Sequence, residues 1–129
     1  MSGRFLLDSN IVIALFARDA TILEHLAQAE AILIPTIVIG ELYYGARKSA
    51  RASDNIARLE AFAAVVPVLG CDAHTASHYG RIKDDPRRKG QPIPENDIWI
   101  AAIALRHGLT LVTRDAHLGK IDALPVVAW

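Results

Sequence analysis

Five short apolar runs, near residues 4–7, 31–34, 66–69, 110–113 and 125–128, alternate along this chain with helical patterns at 9–17, 21–29, 35–48, 52–64, 72–84 and 94–107. Runs of strand length separated by helices are the signature of a parallel sheet covered by helices on both faces. The expected fold is therefore α/β: a mostly parallel sheet of about five strands inside a three-layer α/β/α sandwich. Punctuation agrees with these boundaries. Pro35 and Pro94 suit the first turn of a helix, where a missing N–H costs nothing, and Gly108 suits a left-handed helix cap. Residues 85–95 hold three prolines and one glycine, which reads as a loop. Neither side of it is long enough to fold alone, so residues 1–129 are expected to form a single domain.

A chain of 129 residues, 52% of them hydrophobic, can bury roughly two-thirds of the surface that its unfolded form exposes. It needs no covalent staple. The lone Cys71 excludes an internal disulfide and reads as a small core or strand-end residue in a reducing compartment. Residues 1–4 run directly into an apolar segment that carries an acid at position 8, so no signal-peptide core is present. The run 98–105 is far too short to cross a bilayer. A cytoplasmic protein with no membrane contact is the expectation. Fourteen basic residues balance fourteen acidic ones, so a polyanion would have to be held locally or through a bound cation. The basic residues do cluster, as Arg47, Lys48 and Arg51 and as Arg87, Arg88 and Lys89. Read alone, both groups are solvated surface.

Against this background four acids are out of place. Asp8 ends Phe5-Leu6-Leu7, Glu41 sits in Ile37-Val38-Ile39-Gly40-Glu41-Leu42, Asp97 opens Ile98-Trp99-Ile100, and Asp115 follows Leu109-Thr110-Leu111-Val112. A carboxylate on a core-forming segment needs a donor, a cation or a proton. Asp8 and Asp115 fall after strands, and Glu41 and Asp97 fall early in helices, so all four belong to the carboxyl edge of the sheet, where ligands collect in folds of this type. Two carboxylates about 6 Å apart repel by roughly 3 kcal/mol at an effective dielectric of about 20. A hard divalent cation relieves that repulsion, and a site without His or Cys favours Mg2+ or Mn2+ over Zn2+.

Each acid has a plainer reading as well. Asp8 can cap a helix, Asp115 can make an Asx-turn, and Asp97 can favour the positive end of its helix. Glu41 has no capping role open to it. Asn10 and Thr113 lie at the same edge and suit the orientation of carboxylates or of an attacking water; Ser9 and Asn96 are weaker candidates for that task. His74 and His78 have the spacing of a zinc pair but lack the intervening Glu, and there is no P-loop, dinucleotide fingerprint or nucleophile elbow.

These residues resemble a PIN domain, in particular a VapC-type ribonuclease toxin of a toxin–antitoxin pair. The resemblance runs through Leu7-Asp8-Ser9-Asn10-Ile11, Glu41-Leu42-Tyr43-Tyr44-Gly45-Ala46-Arg47-Lys48-Ser49, Asn96-Asp97-Ile98-Trp99-Ile100-Ala101-Ala102 and Leu111-Val112-Thr113-Arg114-Asp115, in the family's order. It implies a PIN-like α/β/α sandwich, a Mg2+- or Mn2+-dependent endoribonuclease that hydrolyses RNA through a metal-activated water, a cognate VapB-type antitoxin whose C-terminal segment occupies the active groove, and a homodimer. Asp8, Glu41, Asp97 and Asp115 become the acidic, metal-holding cluster, with Asn10 and Thr113 in support. In that setting Arg47, Lys48, Arg51, Arg87, Arg88 and Lys89 gain a role in tracking RNA phosphates. The chain departs from the family pattern at Leu118, where an aromatic residue is common, and at Ala123, where glycine is. The alternative is a catalytically inactive PIN-fold module that binds RNA or antitoxin. A phosphatase with Asp8 as nucleophile is disfavoured, because Asn10 stands where its general acid would be.

Overall fold

The five apolar runs pair into one all-parallel sheet in the computed structural model, which describes residues 3–85, 90 and 92–129. Its strands are β1 (Arg4–Leu7), β2 (Ala31–Pro35), β3 (Val68–Leu69), β4 (Thr110–Val112) and β5 (Val126–Val127), in the spatial order β3-β2-β1-β4-β5. The helices are α1 (Ser9–Phe16), α2 (Ala20–Gln28), α3 (Thr36–Lys48), α4 (Ala52–Val65), α5 (Ala73–Lys83) and α6 (Glu95–His107). Pro35 and Pro94 occupy the cap positions one residue before α3 and α6, and Gly108 closes α6 at φ 63°, ψ 38°. Both outer strands are shorter than their apolar runs. Each pairs on one side only, and Val68 and Val127 are correspondingly exposed.

The strand order locates the functional edge. From β1 the chain moves outward to β2 and β3, then crosses back to lay β4 on the other side of β1, with Leu7 beside Val112. Connections leaving β1 and β4 therefore diverge, and a crevice opens between their carboxyl ends. Leu6, Leu7, Ile11, Val12, Ile34, Leu111 and Val112 are fully buried beneath it. In α6, Ile98, Ile100, Ala101, Ala102, Ile103 and Ala104 are all buried, so this helix turns apolar residues to almost every side and must be enclosed.

α6 lies antiparallel to α5. Lys83 at the end of α5 reaches Glu95 at the start of α6, while Arg106 near the end of α6 donates to Asp72 (3.3 Å), which caps α5. Between these pairs the rings of Tyr79 and Trp99 stack at 4.1 Å, and the Tyr79 hydroxyl donates to Glu95 at 2.5 Å. The first turn of α6 is thereby pinned in place. Beyond β5 the Trp129 ring packs edge-on against Phe5 (5.0 Å) and stacks on His25 (4.9 Å). The Trp129 carbonyl accepts from Arg114 Nε (2.9 Å), and the Arg114 fork also donates to Asp19 (3.2 Å). Cys71 is exposed just beyond β3, a strand-end residue rather than a core one. No helix among the described residues is long and apolar enough to cross a membrane.

The two departures from the family pattern have different structural weights. Leu118 is fully buried and fills its place in the core. Ala123 is exposed and held at φ 62°, in the left-handed region, where a Cβ crowds the carbonyl and costs roughly 1–2 kcal/mol. Ala123→Gly is expected to raise unfolding stability by about 0.5–1 kcal/mol, the relieved strain being partly offset by the freer unfolded chain. Urea denaturation followed by circular dichroism checks this, with an unchanged slope and a higher midpoint as the expected result.

Candidate active site

Asp8 leaves β1 at the crevice and serves the scaffold and the pocket together. Its main-chain N–H donates to the Val112 carbonyl (3.0 Å), and its Oδ1 accepts from the Ser9 N–H (2.8 Å), capping α1. The capping reading is thus correct, yet the residue is only 4% exposed and its Oδ2 accepts from the Thr113 hydroxyl at 2.7 Å. That hydroxyl also accepts from Asn10 Nδ2 (3.3 Å) and from the Asp115 N–H (3.0 Å). A hydroxyl has one hydrogen and two lone pairs, so all three are spoken for. Asn10 Oδ1 in turn accepts from the Arg114 N–H (3.2 Å), closing a ring of bonds between the start of α1 and the turn after β4.

Asp115 lies three residues beyond β4 and opens a short 3-10 turn, Ala116–Lys120. Its Oδ1 accepts from the His117 N–H (3.0 Å), which is the Asx-turn foreseen from sequence, and lies 2.6 Å from His117 Nδ1. Those two His117 contacts hold the Asp115 carboxyl below its usual range. An ionised carboxylate can only accept, so the Nδ1 of His117 carries the hydrogen.

The remaining two acids come from helices. Glu41, half-buried in α3, accepts from Asn96 Nδ2 through Oε2 (3.3 Å), while its Oε1 is buried with no hydrogen-bond partner. Such an atom is costly unless something charged or protic meets it. Asp97, in the first turn of α6, is pushed up to about 6, first by burial and then by the charges of Asp8, Asp115 and Glu41, with nearby His117 slightly offsetting them. Asp8, Asp115 and Glu41 are therefore each close enough to act on Asp97. The spacing is not that of a ready-made cage, since no three His, Cys, Asp or Glu side chains among the described residues converge tightly enough to enclose an ion. An all-oxygen donor set with an orphaned carboxylate oxygen still fits Mg2+ or Mn2+. Mg2+ is usually held by one or two carboxylates and keeps several waters.

Other sequence candidates sort cleanly. Asn10 and Thr113 sit at the centre of the network, Asn96 holds Glu41 apart from it, and Ser9 contributes its main chain. Arg47 and Lys48 are exposed in the last turn of α3, Lys48 lying 4.7 Å over the Tyr44 ring, and Arg51 is paired with Asp54 at 2.7 Å. Arg87, Arg88 and Lys89 lie outside the described residues. His78 faces Arg81 at 2.6 Å, an unsuitable neighbour for a zinc ligand. Two features went unread in the sequence. One is His117, whose signal is its place two residues after an acid. The other is an apolar groove of about 430 Å3 bordered by Ile13, Phe16, Leu42, Ala46 and Leu59, with Glu41 on its wall.

The raised Asp97 sets a pH dependence. Its folded value lies above the unfolded one, so the folded protein binds the extra proton between about pH 4 and 6 and stability falls as pH rises through that window. Metal-free protein is expected to lose melting temperature from pH 4 to 6. Asp97→Asn is expected to flatten the profile and raise the melting temperature at pH 7 by a few degrees, read by calorimetry in the presence of a chelator.

Comparison with known proteins follows the same lines as the geometry. Residues 5–124 match the PIN domain family model. The chain is 40% identical to Ribonuclease VapC2 of Haemophilus influenzae, over 98% of each chain. It is 36% identical to the tRNA(fMet)-specific endonuclease VapC of Shigella flexneri, again over 98% of each. Among solved structures it resembles a chain of DNA-bound VapBC from Salmonella typhimurium, with a TM-score of 0.88, 31% identity and 98% of each chain covered.

Proposed function

The chain belongs to the PIN domain family, and from that footing we propose that it is a metal-dependent endoribonuclease acting as the toxin of a type II toxin–antitoxin pair in the cytoplasm. The observation that carries the metal-dependent reading is that Asp97, at the switch point of the sheet, is pushed up to about 6 by its burial and then by the charges of Asp8, Asp115 and Glu41. A carboxylate raised in this way among other acids in a crevice is the kind of site where a bound cation would relieve the repulsion.

Asp8 and Asp97 are the residues best placed to hold the ion, with Glu41 and Asp115 acting through bound water or on a second ion. When bound, Mg2+ or Mn2+ supplies charge neutralisation and lowers the pKa of a coordinated water, so that an RNA phosphodiester can be hydrolysed near neutral pH. The protein's own work is positional. Thr113 fixes Asp8, Asn10 fixes Thr113, and Asn96 holds one oxygen of Glu41. Asp97 gives up its proton on ion binding, so affinity rises from pH 5 to 7. Arg47 and Lys48, with Arg51 and the 87–89 cluster, carry RNA phosphates that the acidic pocket alone would repel. A VapB-type antitoxin is the partner, its C-terminal segment lying along the groove beside Glu41, and the toxin works as a homodimer.

Asp8→Asn and Asp97→Asn are each expected to lower Mg2+-dependent RNA cleavage by at least about a hundredfold with the circular dichroism spectrum retained. Wild-type activity in either variant would remove the proposal and favour the inactive module. For the basic residues, the joint replacement Arg47→Ala with Lys48→Ala is expected to weaken single-stranded RNA binding and to shallow the plot of log affinity against log salt by about 1–1.5. Fluorescence anisotropy across a salt series reads both.

A further inference from the structure

His117 stands outside every role assigned so far, yet it makes two contacts with a single atom of the acidic pocket. Its main-chain N–H (3.0 Å) and its ring Nδ1 (2.6 Å) both meet Asp115 Oδ1. The main-chain bond alone completes the turn, so the ring contact is not needed to form it. The His117 side chain is 72% exposed and Asp115 33% exposed, so the ring covers the carboxyl from the solvent side without being buried by the fold. Asp115 has its own main-chain N–H committed to the Thr113 hydroxyl, on the same network that holds Asp8. Backbone and one carboxylate oxygen are thus both fixed, and the second oxygen is the one the turn leaves for other work.

We propose that His117 is a positioning residue for the ion site, its ring clamping Asp115 Oδ1 so that Oδ2 is the oxygen directed to a divalent cation or to that cation's bound water. The inference rests on the metal-dependent reading above. A carboxylate free to rotate would satisfy itself with both oxygens on the turn or in solvent; one held at a single oxygen presents the other in one orientation, and the ion then need not spend binding energy to fix it. The ring acts through Asp115 and does not itself touch the ion.

Mn2+ titration by calorimetry, in the absence of RNA, tests this with three proteins: wild type, His117→Ala and His117→Asn. The Asn amide can donate from nearly the position of Nδ1 but cannot replace an imidazole as a ligand. His117→Ala is expected to weaken Mn2+ by about tenfold with an unchanged melting temperature in chelator, and His117→Asn to recover most of that loss. Equal Mn2+ affinity in wild type and His117→Ala would overturn the inference and leave the nuclease reading intact. An Asn variant as weak as the Ala variant would also overturn it, in favour of direct ligation by the ring. No Mn2+ uptake by wild type at millimolar concentration would instead defeat the metal-dependent reading, and the positioning role with it.

Discussion

Like charge gathered at one edge of the sheet is what the rest of this molecule is arranged around. Asp8, Glu41, Asp97 and Asp115 come from four separate stretches of chain, and burial together with the charges of the other three raises Asp97, which answers by holding its proton to higher pH. The sheet order makes the meeting possible, because the crossover that puts β4 beside β1 delivers Asp8 and Asp115 to one crevice. The helices supply the other two. The α5–α6 pairing through Lys83, Glu95, Tyr79 and Trp99 holds the start of α6, so Asp97 cannot relax outward.

Side chains in this pocket work twice. Asp8 caps α1 and faces the other acids; Asp115 makes a turn and faces them too. Thr113, 2% exposed, spends its hydroxyl on Asp8, Asn10 and the Asp115 main chain, so one small side chain sets the relative position of two carboxylates. Structural and functional readings of such residues are not rivals. The same hydrogen bond that ends a strand or starts a helix also fixes the orientation that the proposed ion chemistry would need.

The order of strands and helices was legible in the sequence because each element keeps its own period, and helix ends were marked by Pro35, Pro94 and Gly108. Lengths at the sheet edges were not: Val66 and Val127 are as apolar as core residues, and apolar pattern does not encode how many neighbours a strand has. The acids stood out because each breaks an apolar run. Asn10 and Thr113 followed from lying at the same edge, whereas the Asn96 bond to Glu41 spans 55 positions and depends on how α3 and α6 settle together. The groove escaped notice for a related reason. Ile13, Leu42 and Leu59 announce an apolar helix face, and periodicity says nothing of whether another element of the same chain covers it.

Glu41 stands on the border between these two regions, one oxygen held by Asn96, the other buried without a partner, its stem forming part of the groove wall. If Glu41 holds the cation as proposed, its place on the groove wall links the two sites: an occupant of the groove that shifts Glu41 would change the affinity for the ion, and the ion would change the grip of that occupant by the same factor. Release of one guest and recruitment of the other would then be two readings of a single coupling free energy.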